Sequence, residues 1–264
     1  MAQVTLETNK KETKYQRWNV NQRIQHIVVF VTFTLCSLTG LPIKFYHNPV
    51  SEFLVSFFGG IDSMLNWHLA SGAAMIAISF WHLIWMAYRI YKGDLGWAIV
   101  PNKKDWEDIK QHFAYQLGKT DKPAEFGRYS YKEKFDYWAV FWGMFIIGGS
   151  GVIMWFPEWG ASFMPRWMID AYQIGHSDEA VLAIMAIFVW HFYNVHFSPD
   201  FFPGSMTWWS GKMTEEVMAH EHPYELKQIQ EEFAKKGVPL PEGDVVPTNL
   251  NEIPSSGVLG KERG

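Results

Sequence analysis

This 264-residue sequence reads as an all-α membrane protein, a four-transmembrane-helix bundle with both termini cytoplasmic. Three observations carry that reading. Four windows, Ile24–Ile43, Ser63–Tyr88, Tyr137–Pro157 and Ala180–Pro199, hold no Asp, Glu, Lys or Arg over 20, 26, 21 and 20 residues. A bilayer core takes about 20 mostly apolar helical residues, so each window is long enough to cross. Trp and Tyr gather at the window ends, at Trp67, Trp85, Tyr88, Tyr137, Trp138, Trp155, Trp159, Trp190 and Tyr193, as they do at the headgroup level of a membrane. Of the 23 Lys and Arg, 21 fall in the N-terminal segment, the loop after the second window and the C-terminal tail. Only Lys44 and Arg166 fall in the other two connections, and positive charge accumulates on the cytoplasmic side. The mean hydropathy of −0.11 hides this, because a polar remainder averages out the spans.

In chain order, residues 1–23 form a cytoplasmic N-terminal segment. The first span, 24–46, is a retained helix: it starts late for a secretory signal and ends in Gly40-Leu41-Pro42-Ile43-Lys44, with no small-residue cleavage site. The remaining spans cover 63–88, 137–157 and 176–197, so that residues 24–199 make the membrane domain. Its cytoplasmic loop, 89–136, mixes charges with Trp97, Trp106, Phe113 and Tyr115 and predicts a short amphipathic helix. Residues 200–236 form an interfacial and amphipathic segment. Phe201–Gly211 is uncharged but too short to cross, and Met213–Lys236 places Lys235 and Lys236 four residues after Glu231 and Glu232, a helical ion-pair spacing. The Pro-, Gly- and Asn-rich stretch 237–264 shows no core-forming pattern and reads as an extended tail. There is no internal repeat.

A single cysteine, Cys36, lies inside the first window. That excludes a disulfide framework, a Cys-rich zinc module and a cysteine-ligated iron–sulfur cluster. The net charge of −4 excludes a basic nucleic-acid binder. The ten histidines are more informative. His26, His68, His82, His176 and His191 lie within or at the ends of spans, with His196 closing the fourth, and ionisable groups at bilayer depth are usually functional. His68 and His82 are 14 residues apart, and His176 and His191 are 15 apart. At 1.5 Å per residue each gap is roughly 21–23 Å, and the paired rings fall on nearly one helix face, about 40° short of and 60° past a full turn. His68 and His176 therefore sit near the outer surface, and His26, His82 and His191 near the inner one. Imidazoles facing across a bundle at two depths suit low-spin haem iron held from both axial sides, which is electron-transfer chemistry. A divalent-metal site would need its ligands at one level with a carboxylate nearby. Covalent c-type haem is excluded, since no Cys-x-x-Cys-His occurs. Gly40, Gly72, Gly148, Gly149 and Gly151 leave room for porphyrin, or for close helix packing. His47, His112, His220 and His222 read as solvated.

With these residues in place the chain resembles the gamma, cytochrome b, subunits of membrane-bound respiratory formate dehydrogenases, and the related cytochromes of hydrogenases and thiosulfate reductases. The resemblance spans about residues 20 to 223. It runs through Gln25-His26, Leu38-Thr39-Gly40, His68-Leu69-Ala70-Ser71-Gly72, Gly127-Arg128-Tyr129 and Lys134 leading into Tyr137-Trp138. It continues through Gly151-Val152-Ile153-Met154-Trp155-Phe156-Pro157, His176, His191-Phe192-Tyr193 and His220-Glu221-His222-Pro223.

The resemblance implies two b haems in a four-helix bundle, the outer held by His68 and His176 and the inner by His26 and His191. It also implies a quinone site at His191 with Tyr129 and Ser130. Partners would be an iron–sulfur electron-transfer subunit and a larger catalytic subunit acting on formate, hydrogen or a sulfur oxyanion. The location would be a bacterial or archaeal cytoplasmic membrane. Two departures stand out. The fourth-span histidines are 15 apart where the family has 14, which calls for a bulge or a changed register. His82 lies outside the family pattern; it is the alternative inner ligand, and with His196 a candidate pair for a third haem. Two rival readings are a self-contained b561-type transmembrane electron carrier and a His-lined transporter without haem.

Overall fold

The computed structural model describes residues 12–93, 97–198, 202, 204–241 and 243–253. The expectations placed on Lys10 and Lys11, on Phe201 and on the tail beyond Ile253 lie outside those residues. The helices are α1 Val20–Lys44, α2 Pro49–Phe57, α3 Ile61–Tyr91, α4 Lys103–Gln116, α5 Tyr131–Trp155, α6 Pro157–Ala161, α7 Arg166–Met185, α8 Thr207–Ser210, α9 Glu215–Glu221 and α10 Pro223–Lys235. Beyond Met185, α7 runs on as π-helix over Ala186–His191 and Tyr193–Phe197. Among the described residues four helices, α1, α3, α5 and α7 with its continuation, are long and apolar enough to cross a membrane.

Helix ends are set by capping chemistry rather than by the edges of the charge-free windows. α5 starts at Tyr131, ahead of the window at Tyr137, because Ser130 closes a capping box. The Glu133 carboxylate accepts from the Ser130 amide at 2.7 Å, and the Ser130 hydroxyl accepts from the Glu133 amide at 3.3 Å. The short α2, which the hydropathy pattern does not announce, follows Asn48, whose side-chain oxygen accepts from the amides of Val50 and Ser51 at 3.1 Å each, with Pro49 in the first turn.

The chain divides into two compact units. The membrane unit comprises Asn21–Tyr88 and Phe135–Ser205. Many of its large apolar side chains point outward: Phe30, Trp81, Ile84 and Phe188 are all more than half exposed. Its buried positions include Thr32, Thr39, Ser71, Ser150 and Gln25. This arrangement suits lipid as solvent, where small residues let helices approach and polar groups are satisfied internally. The hydroxyls of Thr32, Thr39 and Ser150 accordingly donate to carbonyls one turn back, at Val28, Leu35 and Ile146, at 2.8, 2.6 and 2.5 Å. At one end of the unit, Lys44 on α1 reaches Ser177 at 2.8 Å and Asp178 at 2.5 Å on α7.

The second unit is built from the described parts of residues 1–20, 89–134 and 206–264. It has a conventional core of Tyr15, Met218, Leu226, Ile229, Phe233, Val238, Val246 and Ile253. β1 (Lys14–Gln16) pairs antiparallel with β2 (Lys212–Thr214) and parallel with β3 (Val245–Pro247) in the order β2-β1-β3. The stretch after Gly237 reads in sequence as an arm without a core. Over its described residues it supplies the β3 edge and buries Val238, Val246 and Ile253. Single apolar residues spaced along Pro-rich chain show no period, so only the partner strand reveals them as core.

The amphipathic helix expected in the 89–136 loop is α4, and buried Lys134 grips Asp105 on it through two bonds of 2.7 and 2.8 Å. Where one charged helix is expected over Met213–Lys236, strand β2 takes its first residues and Pro223 starts α10 afresh after α9. Arg17 and Arg128 both pair with Glu225, and each guanidinium also donates to the other's backbone carbonyl at 2.6 Å. His222, expected to be solvated, is buried in this cluster. Its Nδ1 donates to the Gly127 carbonyl at 2.7 Å, so Nε2 faces Arg17 at 3.2 Å as an acceptor. Burial, reinforced by the Arg17 charge, pulls its pKa below the ordinary histidine value.

Candidate functional site: paired imidazoles in the membrane unit

α1, α3 and α7 each carry histidines toward the interior of the membrane unit, and these meet in two pairs. His68 from α3 and His176 from α7 have ring centroids 6.1 Å apart, tilted by 71°. His26 from α1 and His191 from the π-helical continuation of α7 are 6.5 Å apart, tilted by 41°. Two imidazoles bound to one metal through bonds of about 2 Å each would have ring centroids roughly 6.4 Å apart. Both pairs match that spacing.

The second nitrogen of the rings decides which atom is offered. Thr39 donates its hydroxyl proton to Leu35, so its oxygen accepts from His68 Nδ1 at 3.0 Å. The Ile147 carbonyl can only accept, and it lies 2.9 Å from His176 Nδ1, with the Ser150 hydroxyl at 3.1 Å. The Asp136 carboxylate accepts from His191 Nδ1 at 3.0 Å. All three rings are thereby held as the Nδ1–H tautomer with the lone pair on Nε2, the arrangement that second-layer partners give to metal-binding histidines.

Backbone proximity contributes as well. A Cβ on Gly40 would meet His68 Cε1 at 3.0 Å, and one on Gly151 would meet His176 Cε1 at 3.2 Å. These two glycines are cradles for the rings. Gly148, by contrast, faces Ile76 at an ordinary 3.5 Å.

The π-helix accounts for the 15-residue spacing in the fourth span. In α geometry, 15 residues overshoot the face of His176 by about 60°. A wider turn, marked by the i to i+5 bond from the Phe192 amide to the Ile187 carbonyl, absorbs part of that rotation and aims His191 at His26. Of the two outcomes the spacing allows, the bulge is the one adopted.

His82 is placed differently. Its Nδ1 meets Gln25 Oε1 at 2.7 Å, and its Nε2 meets the Tyr137 hydroxyl at 3.0 Å, so both nitrogens are engaged. His196 packs on Phe192 and Phe197 and against Gly204, where a Cβ would lie 2.5 Å from its Nδ1. Ser130 and Tyr129 belong to the polar unit. Ser130 caps α5, and the Tyr129 ring lies 5.6 Å from the Arg128 guanidinium. The acceptors Thr39, Ile147 and Asp136 are the functional groups that sequence reasoning does not single out. Asp136 adjoins a charge-free window in sequence, as Asp62 and Glu179 also do, so that position alone does not mark it.

An integral membrane helix bundle that brings imidazoles together in two pairs, 6.1 and 6.5 Å apart, has the layout of one class of protein, a membrane cytochrome of the b type. The family model for prokaryotic cytochrome b561 matches residues 17–202, and the chain belongs to that family. It is accordingly a haem b protein. Among curated proteins it is similar to the nitrate-inducible formate dehydrogenase cytochrome b556 (Fdn) subunit of Escherichia coli strain K12, at 24% identity over 215 residues, 81% of this chain and 91% of that one. It is also similar to the formate dehydrogenase cytochrome b556 (Fdo) subunit of the same organism, at 23% identity over 229 residues, 86% and 99% of the two chains.

Proposed function

We propose that this chain is the membrane-anchoring dihaem cytochrome b subunit of a respiratory oxidoreductase complex, passing electrons between a partner subunit and quinone. The observation that carries the proposal is the pairing of four imidazoles at separations of 6.1 and 6.5 Å. His68 and His176 hold one haem b, and His26 and His191 the second. Thr39, Ile147 and Asp136 fix the rings with Nε2 inward. His82 does not ligate in this reading, because its Nε2 lone pair already accepts from Tyr137. Haem held between these imidazole pairs would supply one-electron transfer.

The bias of 21 basic residues to 2 supports both termini in the cytoplasm, the His68 end outside and the His26 end inside. The similar proteins are named as formate dehydrogenase subunits. That supports an iron–sulfur subunit and a larger catalytic subunit as partners at the outer end. Quinone reacts at the His191 end. Each electron carried inward across a potential of about 100 mV is worth about 2.3 kcal/mol. The membrane is a bacterial or archaeal cytoplasmic membrane.

Haem stoichiometry on purified full-length chain tests the assignment. Wild type is expected to show b-type bands with two haems, His26→Ala to lose one, and His82→Ala to keep both. Two haems in His26→Ala with one in His82→Ala would reverse the inner-ligand assignment. Purification alone, without an iron–sulfur subunit, would favour a self-contained carrier.

A further inference from the structure

The acceptors behind the rings differ in charge. His68 leans on a hydroxyl and His176 on a backbone carbonyl, both neutral, whereas His191 leans on the Asp136 carboxylate. Helix α5 delivers that carboxylate from 55 residues away in sequence, and both side chains are about three-quarters buried. In a setting with little water the charge acts on the ring with little screening.

We propose that Asp136 is a positioning residue that sets the potential of the haem held by His26 and His191, a proposal that rests on the dihaem reading above. Two consequences follow from one hydrogen bond. Accepting the Nδ1 proton locks the tautomer and points Nε2 toward His26. Drawing that proton toward a carboxylate also places negative charge on the imidazole, which favours ferric over ferrous iron at this site. The pair with neutral acceptors has no such bias. A haem held by His26 and His191 would therefore give up an electron more readily than it would with a neutral acceptor behind His191. That asymmetry suits an exit toward quinone at the same end.

The conservative change Asp136→Asn keeps an oxygen able to accept from Nδ1 while removing the charge. Potentiometric titration of the b bands in the purified full-length chain is expected to show one haem shifted upward by about tenfold in its reduced-to-oxidised ratio, equivalent to about 59 mV for one electron. Asp136→Glu restores the wild-type value. The same Asp136→Asn change in a His26→Ala background, where only the His68 haem remains, leaves the remaining potential unmoved. Two unchanged potentials in Asp136→Asn would overturn the proposal while leaving the ligand assignment intact. Should Asp136→Asn lose a haem, retention at the wild-type potential in Asp136→Glu supports the proposal, and loss in both variants refutes it. Failure of the underlying reading gives a different result, a His191→Ala chain that still binds both haems.

Discussion

Replacing Gly40 by alanine puts a methyl group at 3.0 Å from His68 Cε1, and replacing Gly151 puts one at 3.2 Å from His176 Cε1. Ordinary contact begins near 3.4 Å, so the His68 ring must retreat by about 0.4 Å and the His176 ring by about 0.2 Å. Cε1 is bonded to Nε2, and the retreat passes almost undiminished to the ligating atom. Metal–nitrogen bonds of about 2 Å tolerate only about 0.2 Å of error before a site fails. The expected order follows. Gly40→Ala loses the haem of the His68–His176 pair, whereas Gly151→Ala retains it with altered spectra. Both variants gain up to about 1 kcal/mol of helix propensity, so misfolding is not the expected cause. Reduced-minus-oxidised spectra with haem-to-protein ratios read the outcome, and far-ultraviolet circular dichroism checks the helices. Equal, wild-type haem content and potentials in both variants would refute the reasoning, because the glycines would then not be cradles.

Two further outcomes concern the polar unit. Lys134→Met removes the cation from the buried Asp105 carboxylate and leaves it the Asn102 amide, so this unit should lose up to about 3 kcal/mol. Hydrogen exchange over residues 103–116 in the full-length chain measures it, and unchanged protection would show that water reaches Asp105. His222 is held neutral below its ordinary value of 6.5, so the unfolded chain binds the extra proton first. Its contribution is therefore complete above about pH 6.5 and lost as pH falls toward the folded-state value. Protection of residues 215–235, corrected for intrinsic exchange, should drop between pH 7 and pH 5 in wild type and much less in His222→Gln.

Much of the architecture was legible because lipid imposes a one-dimensional rule. An uncharged stretch of about 20 residues must be a helix in a bilayer, and its existence does not depend on what it touches. The separation of the histidines along each helix was legible for the same reason, since helical rise converts residue number into distance. The 15-residue spacing of His176 and His191 even announced an irregularity, which the π-helix supplies. The polar unit was the harder part to read. Tyr15, Val246 and Ile253 are distant in sequence and follow no period, so β1 and β3 become visible only when the strands pair.

By itself, then, the sequence determined four spans, their polarity of charge and two levels of imidazole. Only the tertiary structure decided which histidines face each other and what stands behind them. Facing depends on rotation about each helix axis, which a wide turn before His191 resets. The acceptors Thr39, Ile147 and Asp136 come from neighbouring helices, where sequence separation carries no information about distance. That is also why His82, at the same depth as His26 and 14 residues from His68, ends in a hydrogen-bonded chain with Gln25 and Tyr137.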